Sequence, residues 1–259
     1  MPGMDDFETY REAARRAGVP EEAVDLARRL ARPQIELTSV DEGGGVPVGR
    51  YGGLPRLPRG AEWDGYPDLV ASIDCAALPQ GALDFPLPRD GHLLFFADKR
   101  EDSGSWGEED PPSVVHVPAG SDAAERSPAG GGAVSEEPRP LYARTVWSLP
   151  TDADDAVLAD EEVRRVYTGH RLEEHGDGKK RVWEVDLLLG GYGYSPQDPP
   201  PTTPGPGEEE KGEWILLAQG QYPFRDDPDS TGCPFWTIQR ADLEAMDFAK
   251  ARLVMWSYH

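Results

Sequence analysis

The sequence predicts an α+β fold, predominantly β, in which two related β units share one core and N-terminal helices pack outside. Three observations carry that expectation. Helical periodicity is confined to the first thirty residues and two short later stretches. Between them run short apolar or β-branched segments punctuated by Gly, Pro and Asp, as strands are. A glycine pair, an apolar strand, a lone glycine and an aromatic strand then occur twice in the same order.

Residues 1–33 read as a helical extension. Asp5 or Asp6 can cap a first helix, Phe7, Tyr10, Ala14 and Ala17 share its face, and Gly18 ends it. Pro20 suits the first turn of a second helix, with Glu21 and Glu22 at its positive end and Arg28, Arg29 and Arg32 at its negative end. Val24, Ala27 and Leu30 or Ala31 form the apolar stripe, and Pro33 stops it.

Residues 34–259 read as one domain. Ile35, Leu37 and Val40 open an extended run broken at Gly43-Gly44-Gly45. Further strands are expected at 69–73, 92–97, 113–117, 141–149, 214–218, 235–238 and 252–258, and helix at 160–166 and 241–248. Residues 119–140 and 195–211 are built from Gly, Pro, Ser and charges. They bury too little apolar surface to offset the entropy of ordering, so both read as irregular surface loops.

The candidate internal duplication pairs about 49–118 with 182–258. Gly53 and Gly191, Ala71 and Ala218, and Gly91 and Gly232 are separated by 138, 147 and 141 residues, a near-constant offset with the differences absorbed in loops. Two such units would share one core, and neither would be an independent domain.

Composition limits function. The 259 residues carry 26 Lys and Arg against 48 Asp and Glu, a formal charge of −22. That balance opposes binding to DNA, RNA or anionic lipid and favours solubility or a basic protein partner. No run approaches the ~20 apolar residues of a membrane span, and no basic start precedes an apolar stretch. A cytoplasmic location is therefore expected. Cys75 and Cys233, the only cysteines, do not make a disulfide framework and read as small buried thiols.

The same segments carry a family resemblance. Gly52-Gly53-Leu54-Pro55-Arg56-Leu57-Pro58 with Trp63 resembles the opening Gly-Gly-Leu-Pro-x-Leu-Pro…Trp signature of the YwqG-like family. Residues 69–79, residues 91–98, Leu189-Gly190-Gly191-Tyr192 with Ser195-Pro196-Gln197-Asp198-Pro199, and residues 235–248 are similar to its later motifs. The sequence departs at Ala218-Gln219-Gly220-Gln221, where the family has an acidic residue. The resemblance spans roughly 49–258. It implies an α+β, largely β fold and carries no established activity.

Candidate chemistry is sparse. His170 and His175 flank Glu173 and Glu174, but five residues apart they do not share a helical face, and a solvated hairpin is the plainer reading. Ser195 lacks the second glycine of a nucleophile elbow, and Gly191-x-Gly193 lacks a third glycine. No metal and no cofactor are expected. Asp74 and Asp98 each follow an apolar strand. They are the weak candidates for paired acid–base work, against the alternative that each caps a turn. Trp106, in an acidic loop, and Tyr192, Gln197 and Asp198 are the binding candidates. Two functions follow. The first is a non-enzymatic binding or interaction protein with an acidic surface. The alternative is a hydrolase-like enzyme with its carboxylates in a cleft between the two units. The sequence gives no oligomeric state.

Overall fold

The computed structural model describes residues 4–41, 45–61, 63, 67–100, 111–127, 136–151, 157–175, 184–194, 213–224 and 226–258. Helices α1 (Met4–Arg16) and α2 (Glu21–Leu30) form where the periodicity places them. Phe7, Tyr10 and Ala14 of α1 and Ala23, Val24, Leu26 and Ala27 of α2 are buried, and Gly18 turns the chain with φ +81°. The helix is already formed at Met4, so neither Asp5 nor Asp6 stands at its cap. Pro20 is the cap residue of α2 rather than a first-turn residue. Pro33 does not stop α2, which ends at Leu30; it belongs to the next strand.

Thirteen strands follow among the described residues: β1 (Arg32–Thr38), β2 (Gly49–Tyr51), β3 (Arg56–Pro58), β4 (Asp68–Asp74), β5 (His92–Ala97), β6 (Val114–Val117), β7 (Ala123–Glu125), β8 (Arg139–Ser148), β9 (Leu187–Gly190), β10 (Trp214–Gly220), β11 (Tyr222–Pro223), β12 (Thr231–Gln239) and β13 (Arg252–Tyr258). With them are α3 (Glu161–Gly169) and α4 (Arg240–Glu244). The Asp160 carboxylate caps α3 by accepting from the N–H groups of Glu162 and Val163 at 3.0 and 2.9 Å, a contact that contributes about 1 kcal/mol. The helix expected over 241–248 is broken. α4 ends at Glu244, Met246 takes φ +56°, and a separate 3-10 turn runs Phe248–Lys250.

Eleven strands make one antiparallel sheet in the order β11-β12-β10-β9-β1-β8-β2-β4-β5-β6, with β13 on β12. β3 and β7 form a separate two-stranded ribbon. Residues 119–140 are therefore not wholly irregular, because β7 pairs Ala123–Glu125 with Arg56–Pro58 and β8 begins at Arg139. The second loop, 195–211, lies outside the described residues.

β1 and β8 pair at the centre. Outward from β8 come β2, β4, β5 and β6; outward from β1 come β9, β10, β12 and β13. β4 shifts register against β5 between Leu69 and Ala71, and β10 shifts against β12 between Leu216 and Ala218. Such a bulge bends a strand and strengthens its twist. Both glycine pairs have positive φ: +70° and +80° at Gly52 and Gly53, and +68° at both Gly190 and Gly191. A side chain in that region is strained, which accounts for glycine at all four positions.

The sheet curls until its two ends touch. The Ser113 hydroxyl donates to the Ala251 carbonyl at 3.1 Å, and the His116 and Phe248 rings meet at 6.0 Å. Inside, Phe95 meets Trp236 edge-on at 5.3 Å, and the Trp236 indole donates to the Phe96 carbonyl at 3.0 Å. The concave face encloses one core, drawn by period-two alternation from Ile35 and Leu37, Leu187 and Leu189, Ile215 and Leu217, and Leu253 and Met255. Each such residue contributes about 1.5–3 kcal/mol on burial. A second core lies outside the curl. There Phe7, Tyr10, Val24 and Ala27 pack with Leu158, Tyr167 and Leu172 and against Trp147 of β8. No helix among the described residues is long and apolar enough to cross a membrane.

Candidate functional site

The two weak catalytic candidates are held apart. Asp74 is the last residue of β4 and pairs with His92, the first of β5; Asp98 follows Ala97, which pairs with Asp68 at the other end of the same ladder. Six residue steps at about 3.3 Å put roughly 20 Å between the two ends. Asp74 accepts the Ala76 N–H at 3.0 Å, which fixes a turn. Asp98 is 2% exposed, accepts the Arg100 N–H at 3.0 Å and pairs with the Arg100 guanidinium. Each carboxylate caps its own strand end.

Tyr192 is engaged internally as well. Its hydroxyl donates to the Leu30 carbonyl at 2.7 Å, its N–H donates to Ser148 Oγ at 3.0 Å, and the Arg32 guanidinium lies 5.5 Å above its ring. Trp106, Gln197 and Asp198, like Ser195, lie outside the described residues. The turn expected after the histidine pair, at residues 176–179, lies outside the described residues. His170 caps the C-terminus of α3, a 3-10 turn carries Glu173 and Glu174, and His175 Nε2 is 3.1 Å from the His170 carbonyl oxygen.

Both cysteines are buried thiols outside any disulfide. Burial, with weaker contributions from the Asp74 and Asp90 charges, pushes the Cys75 thiol up to about 12. A thiol that stays protonated is a poor nucleophile. Ellman's reagent at pH near 8 is therefore expected to leave both cysteines unmodified in the folded protein and to release both on unfolding. Rapid release of one equivalent from the native state would contradict this environment.

The structure assembles a cluster that no sequence motif announced, in which cations and rings alternate as Arg139, Tyr51, Lys99 and Tyr222. Arg139 lies 4.7 Å from the Tyr51 ring centre, and Lys99 Nζ lies 4.9 Å from Tyr51 and 5.0 Å from Tyr222. The Lys99 side chain is 5% exposed, and its ammonium pairs with Glu136 at 2.8 Å. Arg139 pairs with Asp186 at 3.1 Å. Burial is the main force pushing both tyrosine hydroxyls far up, so they remain neutral donors: Tyr222 to the Asp98 carbonyl at 3.0 Å, Tyr51 to the Gln221 carbonyl at 3.4 Å. The first glycine pair shapes this cluster. A Cβ on Gly52 would sit 3.1 Å from Glu136 Cβ, and the Gly53 N–H donates to the Glu136 carbonyl at 3.0 Å. The one sequence signal was position, since Tyr51 immediately precedes the Gly52-Gly53 motif. The stack rivets β2 to the β11 strand of the other half and leaves its charged groups committed to one another.

Open cavities lie among the described residues. One, about 300 Å³, lies over β1, β8 and the approach to β9. Glu36, Asp41 and Glu184 line it against Arg144, its one cation among the described residues, with Tyr142 beside them. Glu36 is buried and takes Arg144 on one oxygen at 2.7 and 3.1 Å. Val40, 62% exposed, lines this cavity, and Val46, 80% exposed, adjoins its lining residue Gly45. The other cavity, about 590 Å³, lies under the connector from β4 to β5. Gly190 of the second glycine pair seats that connector, because a Cβ there would stand 2.9 Å from Leu83 and 3.1 Å from Phe85.

No curated protein matches the chain. A family model does, across residues 49–256, a span that holds β2 to β12, all but the last two residues of β13, both glycine pairs and both cavities' strands save β1. On that match the chain belongs to the family described as Domain of unknown function (DUF1963).

Proposed function

We propose that this protein is a non-enzymatic binding protein of the cytoplasm whose acidic outer face receives a basic protein partner. The observation that carries the reading is the 300 Å³ cavity, where, among the described residues, three carboxylates face one guanidinium beside two exposed valines. The two valines put apolar surface beside a charged depression, and an apolar patch rimmed by polar groups is typical of an interaction surface. The net charge of −22 adds long-range attraction for a cationic partner. The hydrolase alternative loses the pair it named, because Asp74 and Asp98 stand at opposite ends of the β4–β5 ladder.

Affinity purification from the native cell is expected to return a basic protein whose binding weakens with salt. The double variant Asp41→Lys/Glu184→Lys should lose that partner while melting like the parent. An acidic partner, or one retained by the double variant, would refute the reading.

The finer family assignment, YwqG-like, rests on the Gly-Gly-Leu-Pro signature at Gly52 and the later motifs. An internal duplication is the companion proposal. Its supports are the two outward strand series from β8 and β1, the bulges 147 residues apart at Ala71 and Ala218, and the positive φ of both glycine pairs.

A further inference from the structure

The larger cavity carries an inference independent of the partner surface. Apolar side chains line part of it, Ile35 from β1 and Leu78, Leu83, Phe85 and Leu87 from the connector, with Gln80 and polar backbone making up the rest. Arg89 is the one charged residue lining it among the described residues. That side chain is exposed, and it makes no ion pair or hydrogen bond among the described residues.

The frame is built in advance. Gln80 Nε2 donates to the Cys75 carbonyl at 2.7 Å, and the Ala82 N–H donates to the Pro79 carbonyl at 3.2 Å. Asp84 is tied to Arg32 Nε at 2.8 Å, and Leu83 and Phe85 rest on the bare backbone of Gly190. A cavity held open by such bonds costs a ligand little ordering on entry. Apolar walls take hydrocarbon out of water, and a guanidinium fork matches a carboxylate in two hydrogen bonds.

We propose that this cavity binds a small carboxylic acid with an apolar body. The hydrocarbon lies against Leu78, Leu83, Phe85 and Leu87, and the carboxylate pairs with Arg89. The second glycine motif then has a role in ligand binding, because it seats the two side chains that wall the cavity.

Equilibrium dialysis with radiolabelled octanoate tests this directly, with octyltrimethylammonium as the probe of equal chain and opposite charge. Octanoate is expected to bind saturably at one site and the ammonium probe not to bind. Arg89→Gln should weaken octanoate by about tenfold. Ala76→Trp, which places an indole at an exposed lining position, should abolish binding. Both variants should keep the parent melting temperature, since neither residue is in the core. Failure to retain octanoate, equal retention of the ammonium probe, or unchanged affinity in either folded variant would each overturn the assignment.

Discussion

Lys99→Ala is expected to destabilise the fold by about 2–4 kcal/mol, the range of a buried long side chain cut to a methyl group. Three losses add. The four-carbon stem leaves a void between two fixed rings. Two cation–π contacts disappear, each of about 0.5–2 kcal/mol according to its desolvation. The ion pair to Glu136 contributes least, because that carboxylate is 41% exposed and solvent screens it. Lys99→Met separates these parts by keeping the stem and removing the charge, and its loss should be about half as large. Thermal and urea melting read both variants. An unchanged midpoint for Lys99→Ala would mean that the ring stack is a surface ornament rather than a joint between the two halves.

Gly91→Val is the second large effect. Gly91 has φ +79°, and a Cβ there would lie 2.4 Å from the Val117 carbonyl oxygen and 3.0 Å from the Ala119 nitrogen. Both obstacles are backbone, so relief requires separating β5 from β6. Backbone strain alone costs about 1–3 kcal/mol, and the forced separation adds to it. Gly53→Val should fall nearer the lower figure. Its φ is +80°, yet the nearest obstacle is Pro138 Cβ at 3.1 Å, an overlap that a shift of a few tenths of an ångström relieves. Melting the two side by side tests the ranking. A Gly91→Val protein as stable as Gly53→Val would remove the steric argument.

The strands legible in the sequence were the long ones. β5 and β13 match their expected bounds because four or more apolar residues run together in each. β2, β3, β7, β9 and β11 have two to four residues, too few for alternation to register, and their pairing is fixed by neighbours distant in sequence. β7 was hidden further by the Gly- and Ser-rich composition around it. The failure of Asp74 and Asp98 to converge follows from topology. Consecutive antiparallel strands put their C-terminal ends at opposite edges, so two strand-end carboxylates one hairpin apart never meet. Lys99 was invisible for a different reason. Between Asp98 and Arg100 it has the composition of a solvated turn, and only the curl of the sheet brings Tyr222 over it.

The central pairing of β1 with β8 bears on how the chain is made. Thr38 pairs with Tyr142 and Arg32 with Ser148, so 104 to 116 residues separate the partners. At about 5–20 residues per second, translation leaves β1 waiting on the order of 5–20 s for its first neighbour, and longer for β9. During that interval Ile35 and Leu37, later fully enclosed, have no sheet to join. The early helices can cover Phe7 and Tyr10 with each other, but the strand behind them is an unpaired template. A cell producing this protein quickly therefore depends on holding that strand apart from its copies on neighbouring ribosomes, and slower synthesis or a bound chaperone should raise the soluble yield.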